Sequence, residues 1–537
     1  MPRTRLRLAA TSGHVFTWGR VLVLVLVSTT VVLLPSAAGA QNAAAYRTLA
    51  VFEPGGADYP LSILVQARDG NLYGTSSSGG TYGRGTVFRL TPEGKVTIMH
   101  SFAGPDGCMG PLASLIAEPN NGLVLGTDGD LYGIAVCSEA TGVFFKIATD
   151  GTFTVLHPFK LDQDGAAAPG APVEGPDGNF YGLSRKDDFG NLYRISPSGD
   201  LTTLYAFKSA GDPNLFNPVR LWLGSDGNLY GYSVGHTNGI GALFRASLQG
   251  DVSVLHDFKT PQPIDIDAPL DESNDGNYYG ASYHGPAING FGSIFKLSPS
   301  GDPTTLFIFH ETDGLGRLPS TALIQATDGN LYGGASGPPV LFRVTTSGTY
   351  SVVHRFNGKQ DGLAGPTSGF VQHTNGTLYA TSYESGSLKC TSGCGGVYSL
   401  GIGAGPFVSF LPAQSNATPG HTVGLLGQGL RGIQSVAFNG TTAQFTVISD
   451  TYLETTIPDK ATTGPITVTL GGGSTLTSNK IFHVVPPPPP PTPTPVPAPA
   501  DTGTDSGTAP SNDLPPPAPD SDDAVPAATP EVPQDGS

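Results

Sequence analysis

The stretch Asp-Gly-Asn-Leu-Tyr-Gly at residues 69–74 decides the fold, because the chain repeats it, with small changes, seven times. The copies start at Asp69, Asp128, Asp177, Asp226, Asp275, Asp328 and Asn375. Successive copies start 47 to 59 residues apart, a period typical of four-stranded propeller blades and not of helical repeats. The sequence therefore predicts an all-β chain built around a seven-bladed β-propeller.

Each copy except the last carries four short apolar runs, which in the first copy are residues 62–66, 72–76, 86–90 and 96–102. Asp-Gly and Pro-X-Gly separate the runs, and both sequences favour tight hairpin turns. We therefore expect an antiparallel meander of strands A, B, C and D in every copy. One such sheet cannot bury both of its faces alone, so neighbouring copies must cover it in a closed ring.

The seventh copy has no fourth apolar run, since residues 397–400 are followed by Gly401, Ile402 and Gly403. Residues 47–52, far earlier in the chain, resemble the fourth runs of other copies. We expect this N-terminal segment to complete the last blade and to remove the exposed sheet edge of an open ring.

Residues 1–40 have the features of a cleaved signal peptide. Several arginines precede an uncharged apolar stretch at 21–34, and Ala38-Gly39-Ala40 fits a signal-peptidase site. The mature chain is therefore predicted to be exported, to lie outside the cell or at its surface, and to have no transmembrane segment. The periplasm is an alternative location, and a retained membrane anchor is the alternative interpretation of the apolar stretch.

Export favours disulfides for the four cysteines. Cys390 and Cys394 share one loop of the last copy, while Cys108 and Cys137 both belong to the second copy. We predict the pairs Cys390–Cys394 and Cys108–Cys137, with free structural thiols as the alternative. The spacing does not match a zinc site.

Composition narrows the class of partner. The 537 residues carry a net charge of −16, and charged residues make up 13% of the chain. Nucleic-acid binding requires clustered Lys and Arg, which are absent here, so no nucleic-acid partner is expected.

A different β pattern follows the repeats. Short alternating runs at 407–410, 422–426, 435–439, 443–447, 453–457, 466–470 and 480–484 predict a small two-sheet sandwich. From residue 486 the chain is rich in proline and acidic residues, which predicts a disordered tail. The predicted domains are a signal peptide at 1–40, the propeller at 41–403, the sandwich at 404–485 and the tail at 486–537.

Two family resemblances accompany these patterns. The copies and their continuation G-x-x-F-x-L-x-P-x-G-x-x-x-x-L-H-x-F resemble the bacterial GloVer (Gloeo/Verruco) tandem repeat of choice-of-anchor exported proteins, over residues 46–400. The segment 405–485 resembles an IPT/TIG immunoglobulin-like domain, on the basis of its stretches 436–458 and 462–473. The first resemblance implies no general catalytic activity, and the second implies a spacer or adhesive role. The tail carries no recognisable anchor signal.

The candidate binding site lies on the face that carries the B–C and D–A loops, because these loops are long and differ between copies, whereas the A–B and C–D turns are tight and uniform. Aromatic and histidine side chains of these loops are the candidate ligand contacts: Tyr82, His236, Tyr283, His284 and Tyr383. The expected partner is an extracellular glycan or protein.

Each D–A loop also carries an aspartate: Asp58, Asp106, Asp164, Asp212, Asp267, Asp313 and Asp361. Construction of turns is the favoured explanation. Asp265, Asp267, Asp271 and Glu272 form the densest acidic group, which is the best candidate for Ca²⁺. No other cofactor is predicted.

Recurrent histidines at 100, 157, 256 and 354 share a strand position that elsewhere holds Tyr, Phe or Ala, which indicates packing. The pattern GxSxG occurs once, as Gly231-Tyr232-Ser233-Val234-Gly235, but it begins in a predicted B strand and not at the strand-to-helix turn of a nucleophile elbow; no HExxH motif occurs. The sequence favours a monomeric, exported binding or adhesion scaffold, with the sandwich and tail as a spacer. A polysaccharide-acting glycoside hydrolase or lyase that uses loop-face carboxylates is the alternative, and a purely structural envelope protein is a third hypothesis.

Overall fold

A computed structural model describes residues 45–103, 122–137, 141–160, 162–167, 171–185, 189–207, 215, 218–233, 241–258, 270–283, 290–311, 314–384 and 394–485. Its elements begin with strand β1 (Ala45–Val51). Blade 1 contains β2 (Val65–Gln66), β3 (Leu72–Ser76), β4 (Thr86–Leu90) and β5 (Val96–Ser101). Blade 2 contains β6 (Val124–Leu125), β7 (Leu131–Cys137), β8 (Thr141–Ile147) and β9 (Phe153–Phe159). Blade 3 contains β10 (Ala166–Ala167), β11 (Val173–Glu174), β12 (Phe180–Arg185), β13 (Asn191–Ile195) and β14 (Leu201–Ala206).

The next blades follow the same plan. Blade 4 contains β15 (Pro218–Leu223), β16 (Leu229–Ser233), β17 (Ala242–Ala246) and β18 (Val252–Asp257). Blade 5 contains β19 (Asp271–Glu272), β20 (Tyr278–Ser282), β21 (Ser293–Leu297) and β22 (Pro303–Ile308). Blade 6 contains β23 (Ile324–Gln325), β24 (Leu331–Ser336), β25 (Pro339–Val344) and β26 (Tyr350–Arg355), followed by the short helix α1 (Gly358–Asp361). Blade 7 contains β27 (Val371–Gln372), β28 (Leu378–Ser382) and β29 (Gly396–Gly401).

These sheets confirm the predicted seven-bladed propeller, with one correction. The innermost strand is shorter than predicted, because in the first copy only Val65–Gln66 of residues 62–66 forms a ladder. A side chain replaces the missing ladder bonds: the Ser62 hydroxyl accepts a hydrogen bond from the Thr75 amide at 2.9 Å. Ser368 does the same for Thr381 in blade 7, also at 2.9 Å.

Strand β1 closes the ring. It pairs antiparallel with β29, giving blade 7 the strand order β27-β28-β29-β1, as the sequence predicted. The strand also reaches blade 6, where the Tyr46 ring stacks on His354 with centroids 3.7 Å apart. The Thr48 hydroxyl donates to the Asp361 carbonyl at 2.6 Å. Ring closure therefore brings together β1, blade 7 and the outer part of blade 6.

A hydrogen bond inside each A–B turn explains which residues the repeated motif contains. In the first copy the Tyr73 hydroxyl donates to the Asp69 carboxylate at 2.8 Å, and the same carboxylate accepts from the Asn71 amide at 3.0 Å. Gly70 between them has a φ of +78°, a conformation that glycine adopts without steric cost. The equivalent Tyr–Asp bond occurs in blades 2 to 6, and in blade 7 Asn375 donates to Tyr379.

A second set of hydrogen bonds joins neighbouring blades. The last residue of the inner strand is Gln or Glu in five blades, and its side chain accepts from a backbone amide of the preceding blade. The amide is one residue before the motif, and the pairs are Thr374 to Gln66, Thr127 to Glu174, Ser225 to Glu272, Asn274 to Gln325 and Thr327 to Gln372. We call these contacts the inter-blade belt.

Two blades depart from the belt. Blade 4 has Leu223 at the belt position, opposite Pro176 of blade 3, which has no N–H to satisfy. Blade 2 has Leu125, and there Arg68 of blade 1 makes the connection instead by donating to the Thr127 carbonyl at 2.5 Å.

The second domain is a β-sandwich. It contains β30 (Ser409–Phe410), a 3₁₀ turn at Pro412–Gln414, β31 (Asn416–Ala417), β32 (Thr422–Leu426), β33 (Ser435–Phe438), β34 (Thr441–Val447), β35 (Tyr452–Thr456), β36 (Ile466–Thr469), β37 (Thr475–Thr477) and β38 (His483–Val484). Strand β34 pairs with β33 at its start and with β35 at its end, so the sheet folds over at this strand. Both halves contribute to one core, which includes Val436, Leu453 and Phe482. The sequence missed β31 and β37, which are short and partly polar.

The sandwich contacts the propeller on the tight-turn face. Its contacts involve the position one residue before the motif in four blades. They are Thr451 to the Arg68 carbonyl at 2.6 Å, Asn416 to the Ser225 carbonyl at 2.8 Å, Asn274 to the Asn479 carbonyl at 2.9 Å, and Gln428 to the Thr374 hydroxyl at 2.8 Å. The Arg68 guanidinium also lies over the Tyr452 ring, 4.3 Å from its centroid. The sandwich is thus packed on the propeller and not held away from it.

Deletion of residues 45–52 is expected to lower and broaden the thermal unfolding transition, because β29 becomes an unpaired edge. A synthetic peptide of residues 45–52, added in trans, should restore the transition by supplying the missing strand. Circular dichroism and light scattering measure both effects. A deletion variant that melts with the full chain, without the peptide, would contradict the closure.

The substitution Gln372→Leu is expected to destabilise the chain by about 0.5–1.5 kcal/mol, because it removes the acceptor of the part-buried hydrogen bond from the Thr327 amide. Gln372→Glu is the matched control, since glutamate occupies the same position in blades 3 and 5 and keeps the acceptor. Denaturant unfolding measures the difference. Equal stability of the Leu and Glu variants would show that the belt bond has no stabilising role.

Candidate functional site

The loop face is best described where blades 7 and 1 meet. The D–A loop before blade 1 and the B–C loop of blade 1 are joined by backbone hydrogen bonds, from Ser77 to Tyr59 and from Ser78 to Asp58, both at 3.1 Å. This pairing confirms that D–A and B–C loops share one face. Tyr82, in the same B–C loop, is 61% exposed.

Two further tyrosines lie at this junction. Tyr59 and Tyr383 stack with ring centroids 6.3 Å apart and an interplanar angle of 21°. Tyr383 is held by its backbone amide, which donates to the Thr367 hydroxyl at 2.9 Å, and it remains 36% exposed. Burial, followed by the neighbouring Glu384, raises the pKa of Tyr383 to about 12, so the phenol is neutral at physiological pH.

Tyr59 was not predicted as a site residue. Its φ is +55°, an uncommon conformation for a bulky residue. Such conformations persist only where the surrounding structure imposes them, and they cluster at functional sites. The one sequence feature that could have made Tyr59 a candidate is its position in a loop that varies between copies. Nothing in the sequence indicated its ring contact with Tyr383.

Asp58 is the polar group of this junction. One carboxylate oxygen accepts from the Gly55 amide at 3.0 Å, and the other is buried without a hydrogen-bond partner among the described residues. Burial raises the pKa of Asp58, against the opposing effect of the Gly55 hydrogen bond.

The other predicted contact residues do not join this group in the described structure. Tyr283 is half-buried just after β20 of blade 5. His236 and His284 lie outside the described residues. The assignment of all five predicted residues to one binding face stays a prediction.

The proposed acidic group is divided. Asp265 and Asp267 lie outside the described residues, whereas Asp271 and Glu272 form β19 in the inner strand of blade 5. Asp271 pairs with Lys480 of the sandwich at 2.9 Å, and Glu272 accepts from Ser225. Both carboxylates thus have partners within the protein. Within the described ranges, no three His, Cys, Asp or Glu side chains are grouped so that they could hold a metal ion.

The described D–A aspartates build turns. Asp164 accepts from the Lys160 amide at 2.9 Å and lies 3.2 Å from the His157 ring. Asp361 accepts from the Asn357 amide at 2.6 Å and lies 3.1 Å from His354. The histidines also pack between blades, as the stack of His100 on Phe153 at 3.8 Å illustrates. Asp106, Asp212, Asp267 and Asp313 are not among the described residues.

Of the cysteines, Cys394 is disulfide-bonded and 4% exposed. Its predicted partner Cys390, like Cys108, lies outside the described residues, and Cys137 ends β7. Both predicted pairings therefore stay predictions.

Comparison with known proteins now identifies the family. The Gloeobacter/Verrucomicrobia repeat model matches residues 40–215 and 190–398. The chain belongs to this repeat family. Residues 407–484 match the IPT/TIG domain, which is the sandwich described above. No curated protein matches the chain.

Solved structures with a similar fold are propellers of low sequence identity. A streptogramin B lyase covers 66% of this chain and 97% of its own, with 15% identity and a TM-score of 0.45. A virginiamycin B lyase from Staphylococcus aureus covers 67% of this chain and 98% of its own, with 18% identity and a TM-score of 0.44. The extracellular domain of a hybrid two-component system from B. thetaiotaomicron covers 80% of this chain and 54% of its own, with 12% identity and a TM-score of 0.43.

The combination of a propeller with an IPT/TIG domain is consistent with a surface or extracellular scaffold. In the part of the chain that the structure describes, no helix has the length and apolar character needed to cross a membrane. The predicted signal peptide at 1–40 and the tail at 486–537 lie outside that part.

One titratable group on the tight-turn face is almost fully buried. His373 is 1% exposed in the A–B turn of blade 7. Its Nδ1 accepts from the Asn375 amide at 3.1 Å, so Nε2 carries the proton and donates to the Gly70 carbonyl at 2.9 Å. Burial lowers the pKa of His373, and the two hydrogen bonds and Glu93 oppose this effect. The ring is therefore neutral in the folded chain.

The free energy of unfolding is expected to fall as the pH drops below about 6.5, because the unfolded chain then binds a proton that folded His373 does not. This contribution is fully present above pH 6.5 and is lost toward the lower folded-state pKa. His373→Ala, which places the residue of blades 1 and 6 at this position, should flatten that part of the stability profile. Urea unfolding of both proteins between pH 5 and pH 8 measures it, and parallel profiles would contradict the assignment.

Proposed function

We propose that this protein is an exported binding scaffold, extracellular or held at the cell surface, whose loop face recognises a glycan. The observation that carries the proposal is the division of the propeller into two unequal faces. The sandwich contacts the tight-turn face in blades 1, 4, 5 and 7, which leaves the variable loop face for a partner.

The described part of the loop face offers suitable groups for a glycan. Tyr82 and Tyr383 are two of the large hydrophobic side chains that remain exposed. A tyrosine ring supplies an apolar face for a sugar ring and a polar hydroxyl at its edge. The stacked Tyr59 limits the rotamers of Tyr383, so less conformational entropy is lost on binding. The chain is proposed to act as a monomer.

A protein partner is the second candidate, because tyrosine is also enriched at protein interfaces. The sandwich, which packs on the propeller, then serves as a support for the turn face in addition to any role as a spacer. Catalysis is not part of the proposal: burial raises the pKa of Asp58, but no described contact pairs this carboxylate with a second one.

Tyr82→Ala and Tyr383→Ala are expected to weaken glycan binding by roughly twofold to tenfold each, as loss of about 0.5–1.5 kcal/mol per ring contact implies. A glycan array identifies the ligand, and titration calorimetry measures the affinities. Thermal melting should change little, because exposed loop side chains contribute little to stability.

Two controls make the test decisive. Val254→Ala removes a side chain that is 47% exposed on the outer strand of blade 4, and it should leave binding unchanged. Lys95→Ala alters an exposed residue of a C–D turn on the opposite face. If the Lys95 variant lost binding while both tyrosine variants retained it, the binding site would lie on the tight-turn face, and the proposal of a loop-face site would be wrong. A parallel assay for polysaccharide turnover would detect an enzyme.

A further inference from the structure

Cys394 and Gly395 form the short segment that leads into β29, and this segment lies between the ring closure and the loop face. Cys394 is disulfide-bonded and 4% exposed. The amide of Phe52, the residue after β1, donates to the Gly395 carbonyl at 3.0 Å. Cys394 and Phe52 also belong to one buried apolar cluster, together with Ala57 of the D–A loop before blade 1. The segment therefore connects the end of β1, blade 7 and that loop.

The same segment is packed against both loops that carry the stacked tyrosines. Gly395 has a φ of +71° and no room for a side chain. A Cβ atom there would lie 2.4 Å from the Ser382 carbonyl oxygen and 2.9 Å from the Tyr383 carbonyl oxygen. It would also lie 2.6 Å from Cδ of Pro60, the residue after Tyr59. Gly395 is thus in close contact with the backbone that carries each ring.

The two tyrosines belong to different blades, so their relative position depends on contacts between the two loops. The ring stack itself is one such contact, with centroids 6.3 Å apart. Gly395 supplies a second contact, from the backbone. A disulfide restricts the conformations open to the segment that contains it. The cross-link at Cys394 therefore restricts the segment on which the spacing of the two loops depends.

We propose that the disulfide of Cys394 is a redox-sensitive support of the tyrosine pair, so that its reduction weakens binding at the loop face. A dithiol opens it by thiol–disulfide exchange: the S–S bond breaks, each cysteine sulfur becomes a thiol, and the dithiol is oxidised to a disulfide. Without the cross-link, Gly395 no longer holds the two loops at one spacing. The effect on binding rests on the function proposed above, whereas the effect on the position of Tyr383 does not.

Fluorine NMR of 3-fluorotyrosine at position 383 tests the support without any ligand. In the oxidised protein, the Tyr59 ring should displace the resonance from that of free 3-fluorotyrosine. Dithiothreitol should move the resonance toward the free value, with complete reduction verified by alkylation and mass spectrometry. The same label at position 230, in the motif of blade 4, should keep its resonance and show that the ring stays folded. Cys394→Ala should reproduce the effect without reductant, and it replaces reduction if the disulfide resists dithiothreitol.

A matched pair of glycine variants tests the role of the segment in the oxidised protein. Gly395→Ala should displace the Tyr383 resonance, because its Cβ atom meets both loops. Gly314→Ala is the control: Gly314 has a similar φ of +64°, but a Cβ atom there meets nothing within 4 Å. Peptide mapping identifies the two cysteines outside this disulfide. Their replacement by alanine is the control for the reductant and should leave the resonance unchanged.

A glycan array, read with the oxidised and the reduced protein, measures the consequence for binding. Reduction should weaken the signals by roughly threefold to tenfold, because binding must then order the tyrosine side chains. An oxidised protein that binds no glycan would contradict the proposed function, and the fluorine resonance would still decide whether the disulfide supports the pair. A Tyr383 resonance that neither complete reduction nor Cys394→Ala changes would overturn the inference. Glycan signals that are present and equal in both states would also overturn it.

Discussion

The pairing of β1 with β29 is the contact on which the rest of the structure depends. Six blades are built from consecutive segments, whereas blade 7 takes its outer strand from the first described residues of the chain. A blade covers its faces only when it has a neighbour on each side, so an open ring would expose two sheet faces as well as one strand edge. The contacts of Tyr46 and Thr48 with blade 6 extend the same closure beyond the backbone ladder.

In blades 4, 5 and 7 the residue before the motif has a double role on the tight-turn face. Its backbone N–H bonds the Glu or Gln of the next blade, and its carbonyl or side chain bonds the sandwich. Thr374 shows both roles, since its amide donates to Gln66 and its hydroxyl accepts from Gln428. Strain or motion at this face would break both sets of bonds, whereas the loops of the opposite face are free to differ between copies.

Much of the fold was readable from the sequence because its signals are local. The Asp-Gly turns fixed the blade period, and the missing fourth run of the last copy indicated that residues 47–52 would close the ring. The contact between sandwich and propeller could not be predicted, because it joins Arg68 to Thr451 and Asp271 to Lys480 across long separations without a local pattern. The same limit applies to the candidate site: loop position made Tyr82 and Tyr383 candidates, whereas the contact of the Tyr59 ring with Tyr383 had no local signal. Glu272 was predicted as a metal ligand because it lies in an acidic cluster of the sequence. Its hydrogen bond with Ser225 of the neighbouring blade could not be predicted from that local pattern.

In a repeat protein, each copy is a reference for the others, so a departure at one repeat position carries more information than the residue itself. Leu223 replaces a belt residue where Pro176 offers no N–H, and this change is explained by hydrogen bonding alone. Next to Leu125, the Arg68 guanidinium makes the inter-blade connection through the Thr127 carbonyl. Trp222 replaces a smaller residue, and its indole N–H has no hydrogen-bond partner among the described residues. Packing alone does not require either change, since blades 1 and 7 form equivalent sheets with Val and Gln at these positions. The three side chains have in common that they line one cavity between the inner strands of blades 1 to 4 and the sandwich.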